Sequence, residues 1–321
     1  MSKVVALEIA ANAIRAAEVS GYKTKKPKLL RTGELRLQEG IAGESQVIES
    51  EALSEALKSL WLQAKFTTRS VGLLVSGRRF IVRPHTTGQS SMEVLRKILP
   101  YEAPNAFPDQ VSDLLFDFYP THTVSTKAGT KTDGLVISSP SEPISELAFA
   151  LNRAKLDLEF VDFTPLAVTR WIRNNRSEQN YALVNIREES TDIVVVDAGM
   201  PRTVRVLSKG LNSKRRRLGL TGIDHSPLLR RDVLGENGVK VLVQDIGLTV
   251  TTQSEEISGE LECIFTSGPR AEDPELRASI SEQFGIPVIP LYIDSIPQDE
   301  DEELNRKPSF DDFVAMTGGM R

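Results

Sequence analysis

Val4-Val5-Ala6-Leu7-Glu8-Ile9-Ala10-Ala11-Asn12-Ala13-Ile14-Arg15-Ala16-Ala17-Glu18-Val19 opens the chain with an apolar run, a short break and a second apolar run. Val4 to Leu7 reads as a buried strand and Ala13 to Val19 as a second strand after a tight turn. Leu29 to Leu37 supplies a third strand. The result is a β-meander, unlike a dinucleotide-binding start of strand, glycine turn and helix. The pattern recurs downstream, with strands at Tyr181 to Asn185, Asp192 to Asp197 and Thr203 to Ser208, the last after a turn at Gly199.

Between the meanders the periodicity changes. Glu51 to Gln63 places Leu53, Leu57, Leu60 and Trp61 on one helical face. Ser70 to Val75 and Phe80 to His85 read as strands, and Ser90 with Glu93 forms a capping-box pattern before a helix carrying Val94, Leu95, Ile98 and Leu99. Leu114 to Tyr119 alternates like a strand, Thr121 to Asp133 reads as a polar loop, and Leu135 to Ser138 is a further strand. A helix from Pro143 to Lys155, a strand from Phe160 to Phe163 and a helix from Pro165 to Arg173 lead to a polar crossing at Asn174 to Asn180. After the second meander come a strand at Leu261 to Thr266, a helix at Asp273 to Phe284, a strand at Val288 to Tyr292, an acidic loop at Gln298 to Glu303 and a short helix at Phe310 to Met316. Two meanders, each opening a lobe, predict a duplicated α/β architecture of the actin-like (ribonuclease H-like) type, and a chain of 321 residues exceeds what one core usually serves.

Composition narrows the function classes. The net charge of −5 does not favour a nucleic-acid partner. The one cysteine, Cys263, lies beside Ile264 and Phe265 and reads as a buried small hydrophobe rather than a nucleophilic thiol. The N-terminus shows no signal-peptide pattern, and no apolar run approaches the ~20 residues of a membrane span, so a cytoplasmic protein is expected. His85, His122 and His225 lack metal-ligand spacing, and neither a Gly-x-Ser-x-Gly nor a P-loop pattern occurs. Lys214-Arg215-Arg216-Arg217 with Arg230-Arg231 is either a solvated loop or a contact for anionic lipid or an acidic partner. Lys23, Lys25, Lys26 and Lys28 read as a hairpin tip.

The order of segments resembles the type IV pilus assembly protein PilM family over nearly the whole chain. Family members begin with a strand, Asp-Ile-Gly, small hydroxyl residues and a strand carrying Lys; here the corresponding run is Glu8-Ile9-Ala10-Ala11-Asn12-Ala13-Ile14-Arg15. The family's Glu-Ala-Glu-Lys-Tyr-Ile-Pro segment is similar to Glu102-Ala103-Pro104-Asn105-Ala106-Phe107-Pro108, and Asp117-Phe118 follows it on a strand as in the family. Val161-Asp162, Asn185-Ile186-Arg187, Thr266-Ser267-Gly268 and the closing Ala315 to Arg321 complete the collinear set. Between Gly210 and Gly259 the likeness fades.

The resemblance implies a first lobe over residues 1–174, with an inserted FtsA/PilM-type subdomain at about 84–160, and a second lobe over 175–321 with its outer subdomain (about 210–260) reduced. It implies ATP and Mg²⁺ as ligands, at Glu8, Ala10, Asn12, Arg15, Asn185, Arg187, Ser190 and Gly268, with Glu8 as the metal candidate. The departures weaken that expectation. Ala10 and Arg187 stand where the family has turn glycines, Asn185 replaces a carboxylate, and Glu8 is one methylene longer than the family's Asp. Arg15 and Arg187 then either bind phosphates by their own charge or belong to a relic site, and Glu8 either keeps a metal role or pairs with Arg15 across the hairpin. No catalytic residue is assigned.

The expected function is that of a cytoplasmic scaffold or adaptor in type IV pilus assembly, or in a related secretion or DNA-uptake machine. Its expected partner is the short cytoplasmic tail of an inner-membrane PilN-like protein, bound at Glu102, Phe107 and Pro108, and its expected place the inner face of the membrane. A nucleotide-gated actin-like ATPase is the second reading. An FtsA-like division scaffold is the third; FtsA carries a C-terminal amphipathic helix after a linker, whereas this chain is expected to end with its closing motif.

Overall fold

The structure, a computed structural model, describes residues 2–24, 27–88, 91–103, 107, 113–126, 129–208, 210, 235–254, 257–268, 271 and 273–291. Two five-stranded sheets of the same design carry the fold. In the first, β1 (Lys3–Ile9), β2 (Ala13–Ser20) and β3 (Lys28–Arg36) form an antiparallel meander. The parallel strands β6 (Ser70–Val75) and β10 (Asp157–Phe163) extend it beyond β1, giving the order β10-β6-β1-β2-β3. In the second, β11 (Tyr181–Ile186), β12 (Thr191–Asp197) and β13 (Met200–Leu207) repeat the meander, and β14 (Cys263–Ser267) and β15 (Val288–Pro290) add the parallel strands. The meanders therefore open two separate sheets of one topology, as the recurrence in the sequence predicts for an actin-like fold.

Both faces of each central strand are buried, so these strands are mostly apolar, with buried exceptions such as Glu8, Arg15, Glu18, Asn185 and Asp192. On β11, Tyr181 and Leu183 pack into the core shared with the first sheet, while Ala182, Val184 and Ile186 pack against the outer helices. Helix α1 (Ser50–Gln63) buries Leu53, Leu57 and Leu60, and α3 (Ser141–Arg153) buries Leu147, Ala150 and Leu151; the two pack together over the first sheet. Helix α4 (Thr164–Asn175) starts with Pro165 in its first turn, where the missing N–H has no helical partner to lose. Its Leu166, Val168 and Ile172 join the core that links the sheets.

Over the second sheet lie α5 (Gly235–Ser254) and α6 (Pro274–Phe284). Helix α6 is capped at both ends: Asp273 accepts from the Glu275 and Leu276 N–H groups, and Gly285 closes the last turn at φ +68°. No helix among the described residues is long and apolar enough to cross a membrane.

A third, three-stranded sheet is inserted between β6 and α3, in the order β7 (Ile81–Thr87), β9 (Gly129–Pro140), β8 (Leu114–Thr126). Helix α2 (Met92–Glu102) covers one face through Leu95, Leu99, Phe118 and Val136. The loop expected over Thr121 to Asp133 is instead the far half of the β8–β9 hairpin, paired as far as Thr126 and Gly129. Thr121, Thr123, Val124, Thr126, Thr130 and Thr132 in this stretch are β-branched, and β-branching favours an extended backbone whatever the polarity.

A small hairpin, β4 (Ala42–Gly43) and β5 (Gln46–Val47), projects Glu44 and Ser45 toward the end of β1. The Ser45 N–H donates to the Ile9 carbonyl (3.2 Å), and the Ser45 hydroxyl accepts from the Ser76 N–H (2.9 Å). The readings at Gln298 to Glu303, Phe310 to Met316, Ala315 to Arg321, Lys214 to Arg217, Arg230-Arg231 and His225 lie outside the described residues.

Candidate functional site

The two meander turns face each other across the cleft between the sheets. Glu8 and Arg15 are cross-strand partners in the β1–β2 hairpin, and Asn185 and Asp192 occupy the same register in β11–β12. In each hairpin the pair lies one step before the turn, so duplication alone brings four polar side chains to one place.

What fills that place is an ion network, and Arg187 is its centre. The Arg187 side chain is buried, with Nη1 at 2.9 Å from Glu8 Oε1 and Nε at 2.5 Å from Glu44 Oε1. The Nε contact is an aligned hydrogen bond, whereas the Nη1 contact is an ion pair by proximity. Arg15 Nη1 reaches the other Glu8 oxygen at 3.2 Å, and its Nη2 reaches Glu188 at 3.2 Å. Glu34 stands 3.9 Å from Arg15 Nε. Beside these, the Ser76 hydroxyl donates to Asp192 Oδ2 at 2.7 Å. Four contacts among the described residues therefore cross from the first sheet's side to the second's: Glu8 to Arg187, Glu44 to Arg187, Arg15 to Glu188, and Ser76 to Asp192. Desolvation works against the Arg187 charge, but Glu8, Glu44 and Asp192 outweigh it and hold the guanidinium protonated well above its ordinary range.

Of the residues singled out in the sequence, Glu8, Ala10, Arg15, Asn185, Arg187 and Ser190 are buried together here. Gly268 adjoins them, because a Cβ at that position would stand 3.0 Å from Asn185 Oδ1. Asn12 does not join: it is exposed at the β1–β2 turn, where its carbonyl accepts from the Leu37 N–H. Reading the sequence misses Glu44, Glu188, Asp192 and Ser76. The register shared by the two hairpins is the one signal that points to Asp192.

These residues do not fit a magnesium triphosphate. Among the described residues, Glu8, Glu44, Glu188 and Asp192 outnumber the two guanidiniums, so an entering polyanion meets an excess of negative charge from them in a desolvated setting. Both Glu8 oxygens already face arginines. The turn N–H groups are engaged within their own turns, Ala10 N–H with the Ala13 carbonyl (2.9 Å) and Arg187 N–H with the Ser190 carbonyl (3.0 Å). Asn185 Oδ1, Ser190 Oγ and Ser267 Oγ are buried without hydrogen-bond partners, but they add one acceptor and two hydroxyls and no fixed positive charge. Among the described residues no group of three His, Cys, Asp or Glu side chains is placed to hold a metal. Calorimetric titration with ATP and Mg²⁺ is accordingly expected to give no binding below about 1 mM. A micromolar isotherm would show that the network opens.

Two other expectations change or hold on geometry. Phe107 is not an exposed groove residue: it is 3% exposed, packed with Leu95, Leu99 and Phe118 beneath α2, with its ring 5.7 Å from that of Phe116. An aromatic beside prolines at a helix end looks exposed in sequence, yet the open face of the inserted sheet is what it covers. Glu102 lies at the end of α2, 3.7 Å from His85 Nε2, and Pro108 lies outside the described residues. Cys263 is buried on β14 and burial pushes its thiol up to about 12, as a small hydrophobe requires and a nucleophile does not.

A family model described as "Type IV pilus assembly protein PilM" matches residues 6–210, well over half of the chain. The chain belongs to the type IV pilus assembly protein PilM family. Among solved structures, a PilM–PilN type IV pilus biogenesis complex matches with a TM-score of 0.79 at 20% identity, covering 99% of this chain and 97% of that one. The ethanolamine utilization protein EutJ from Carboxydothermus hydrogenoformans follows, with TM-score 0.59, 10% identity and 99% and 90% coverage. A protein with actin-like ATPase fold from Bacteroides thetaiotaomicron gives 0.51, 11% identity and 98% and 95% coverage. No sequence among curated proteins matches the chain. These likenesses establish the actin-like fold of this PilM family member.

Proposed function

We propose that this PilM family protein is an adaptor of the type IV pilus assembly machinery that works without nucleotide, at the inner face of the membrane, by holding the N-terminal cytoplasmic tail of a PilN-like protein. The observation that supports this is a pair of edge strands bridged by one arginine. Among the described residues, β8 is an outer strand of the inserted sheet and β10 an outer strand of the first sheet, each with no strand paired on its other side. Arg170 of α4 joins them: it ion-pairs with Asp162 on β10 and lies 5.7 Å from the Tyr119 ring on β8.

Leu115 on β8 and Val161 on β10 expose apolar surface, 46% and 39% respectively. Asp117 stands on β8 between Leu115 and Tyr119. It is exposed by surface area, yet protein crowds its carboxyl and raises its pKa, with Asp162 adding to the effect and Arg96 and Arg170 opposing it. An extended tail laid on either edge gains main-chain hydrogen bonds, with apolar side chains against Leu115 and Val161 and a basic or amide group against Asp117. The PilM–PilN complex, whose fold this chain shares, makes a PilN-like tail the occupant to test.

A tail that is disordered when free must offset its ordering, which sets the expected affinity at about micromolar. The test is titration of a synthetic peptide carrying the N-terminal tail of the PilN-like protein encoded beside this chain. Leu115→Lys and Val161→Lys, both on exposed positions, are expected to weaken it by about 1–3 kcal/mol with an unchanged melting curve. Failure of the tail to bind, or binding by both variants as tight as by the parent, rejects this reading.

A further inference from the structure

We propose that Arg187 is a built-in replacement for a bridging ligand: its guanidinium, held between Glu8 and Glu44, fixes the angle between the two lobes of this chain. The inference does not depend on which partner the protein binds. It starts from the mismatch between the cleft and a nucleotide. In a two-lobed fold a ligand in the cleft stabilises the closed arrangement by touching both sides at once, and it does so only through interactions that opening would break. The Arg187 side chain does the same from within. It belongs to the β11–β12 turn of the second sheet, and both its acidic partners belong to the first sheet's side, Glu8 on β1 and Glu44 on the small hairpin.

The position is also the right one geometrically. Arg187 is the first residue after β11, as Ala10 is the first residue after β1, so a long cation at one of two matching turns faces a small residue at the other. The guanidinium suits the task because its planar fork carries donors in two directions; a lysine at the same place presents a point charge. Its carboxylate partners are themselves held. Ser45, next to Glu44, is tied to Ile9 and Ser76, and Glu8 is bonded to Arg15. Opening the lobes would break the contacts of Arg187 with both partners and of Arg15 with Glu188. A pre-closed scaffold of this kind presents one shape to its partners whatever the nucleotide level.

The test is a distance measurement between the lobes in the whole chain. Spin labels on Leu62→Cys in α1 and Leu248→Cys in α5, both exposed, report the angle, with the buried Cys263 changed to Ala. The expected result is one narrow distance distribution that ATP with Mg²⁺ leaves in place. Arg187→Gln should broaden that distribution about twofold as a second population of lobe angles appears, while the circular dichroism spectrum stays the same. If Arg187→Gln does not fold, Glu44→Gln, which keeps the side-chain shape, is read in the same way and should broaden it too. A distribution as narrow in the folded variant as in the parent overturns the proposal, and so does an ATP-induced shift in the parent.

Discussion

Arg187→Ala should cost the folded protein about 3–5 kcal/mol, the range for removing one partner of a buried ion pair. The size follows from what stays behind. Glu8 and Glu44 have side chains only 7% exposed, and Arg187 stands between them. Without it, Glu44 and Glu8 lose the cation between them, and Glu8 retains its contact with Arg15. Truncation also leaves a cavity where a long side chain was packed, which adds to the cost.

Urea unfolding of the parent and the variant measures the loss directly. The double variant Arg187→Met with Glu44→Gln removes a positive and a negative charge together, and is expected to lose less than the sum of its single variants by about 1–3 kcal/mol. That non-additivity distinguishes a network acting as a unit from independent packing effects. An Arg187→Ala loss within about 0.5 kcal/mol, the scale of ordinary surface changes, would mean that water reaches the cleft and that the ion pairs contribute little.

The fold was legible wherever the pattern repeats locally. Val4 to Val19 and Tyr181 to Asp197 each show strand, turn, strand, and the strands are mostly apolar on both faces, which supports the strand reading. Helix α5 shows the opposite case. Val239, Val241 and Val243 alternate like a strand, and only the longer spacing of Leu242, Val243, Ile246 and Val250 marks the helical face that meets the second sheet. The β8–β9 hairpin was hidden because its far half uses threonine, whose hydroxyl suggests a loop and whose branching makes a strand.

At the site, the residues of the two hairpins could be named from the sequence because they lie at the strand ends that duplication predicts. Their partners could not. Arg187 and Glu44 are 143 positions apart, and Ser76 and Asp192 are 116 apart. No periodicity within a strand or helix records such a pairing. Phe107 failed for a related reason: its burial depends on the face of a sheet made by strands on both sides of it in the chain.

Gly268→Ala should be the other costly change, at about 2–5 kcal/mol, and it reports on how tightly the end of β14 is held against the end of β11. Two effects combine at this glycine. Its φ is +93°, in the region where a side chain is strained, which accounts for about 1–2 kcal/mol. A Cβ would also lie 2.2 Å from the Ile186 carbonyl oxygen and 3.0 Å from Asn185 Oδ1. The carbonyl cannot swing aside cheaply, because β11 is paired on one side with β12 and on the other with β14. Displacing it would also move Asn185, which is opposite Asp192, and Arg187, the next residue along, so the cleft network would loosen with the strand.

Gly285 supplies the comparison within the same molecule. It has φ +68° at the end of α6, but a Cβ there meets nothing within 4 Å. Gly285→Ala should therefore show the backbone strain alone, about 1–2 kcal/mol. The difference between the two variants in urea unfolding measures the close approach of β14 to β11. Equal losses at the two glycines would show that β11 yields to the extra carbon, and that the floor of the cleft is softer than its hydrogen bonding implies.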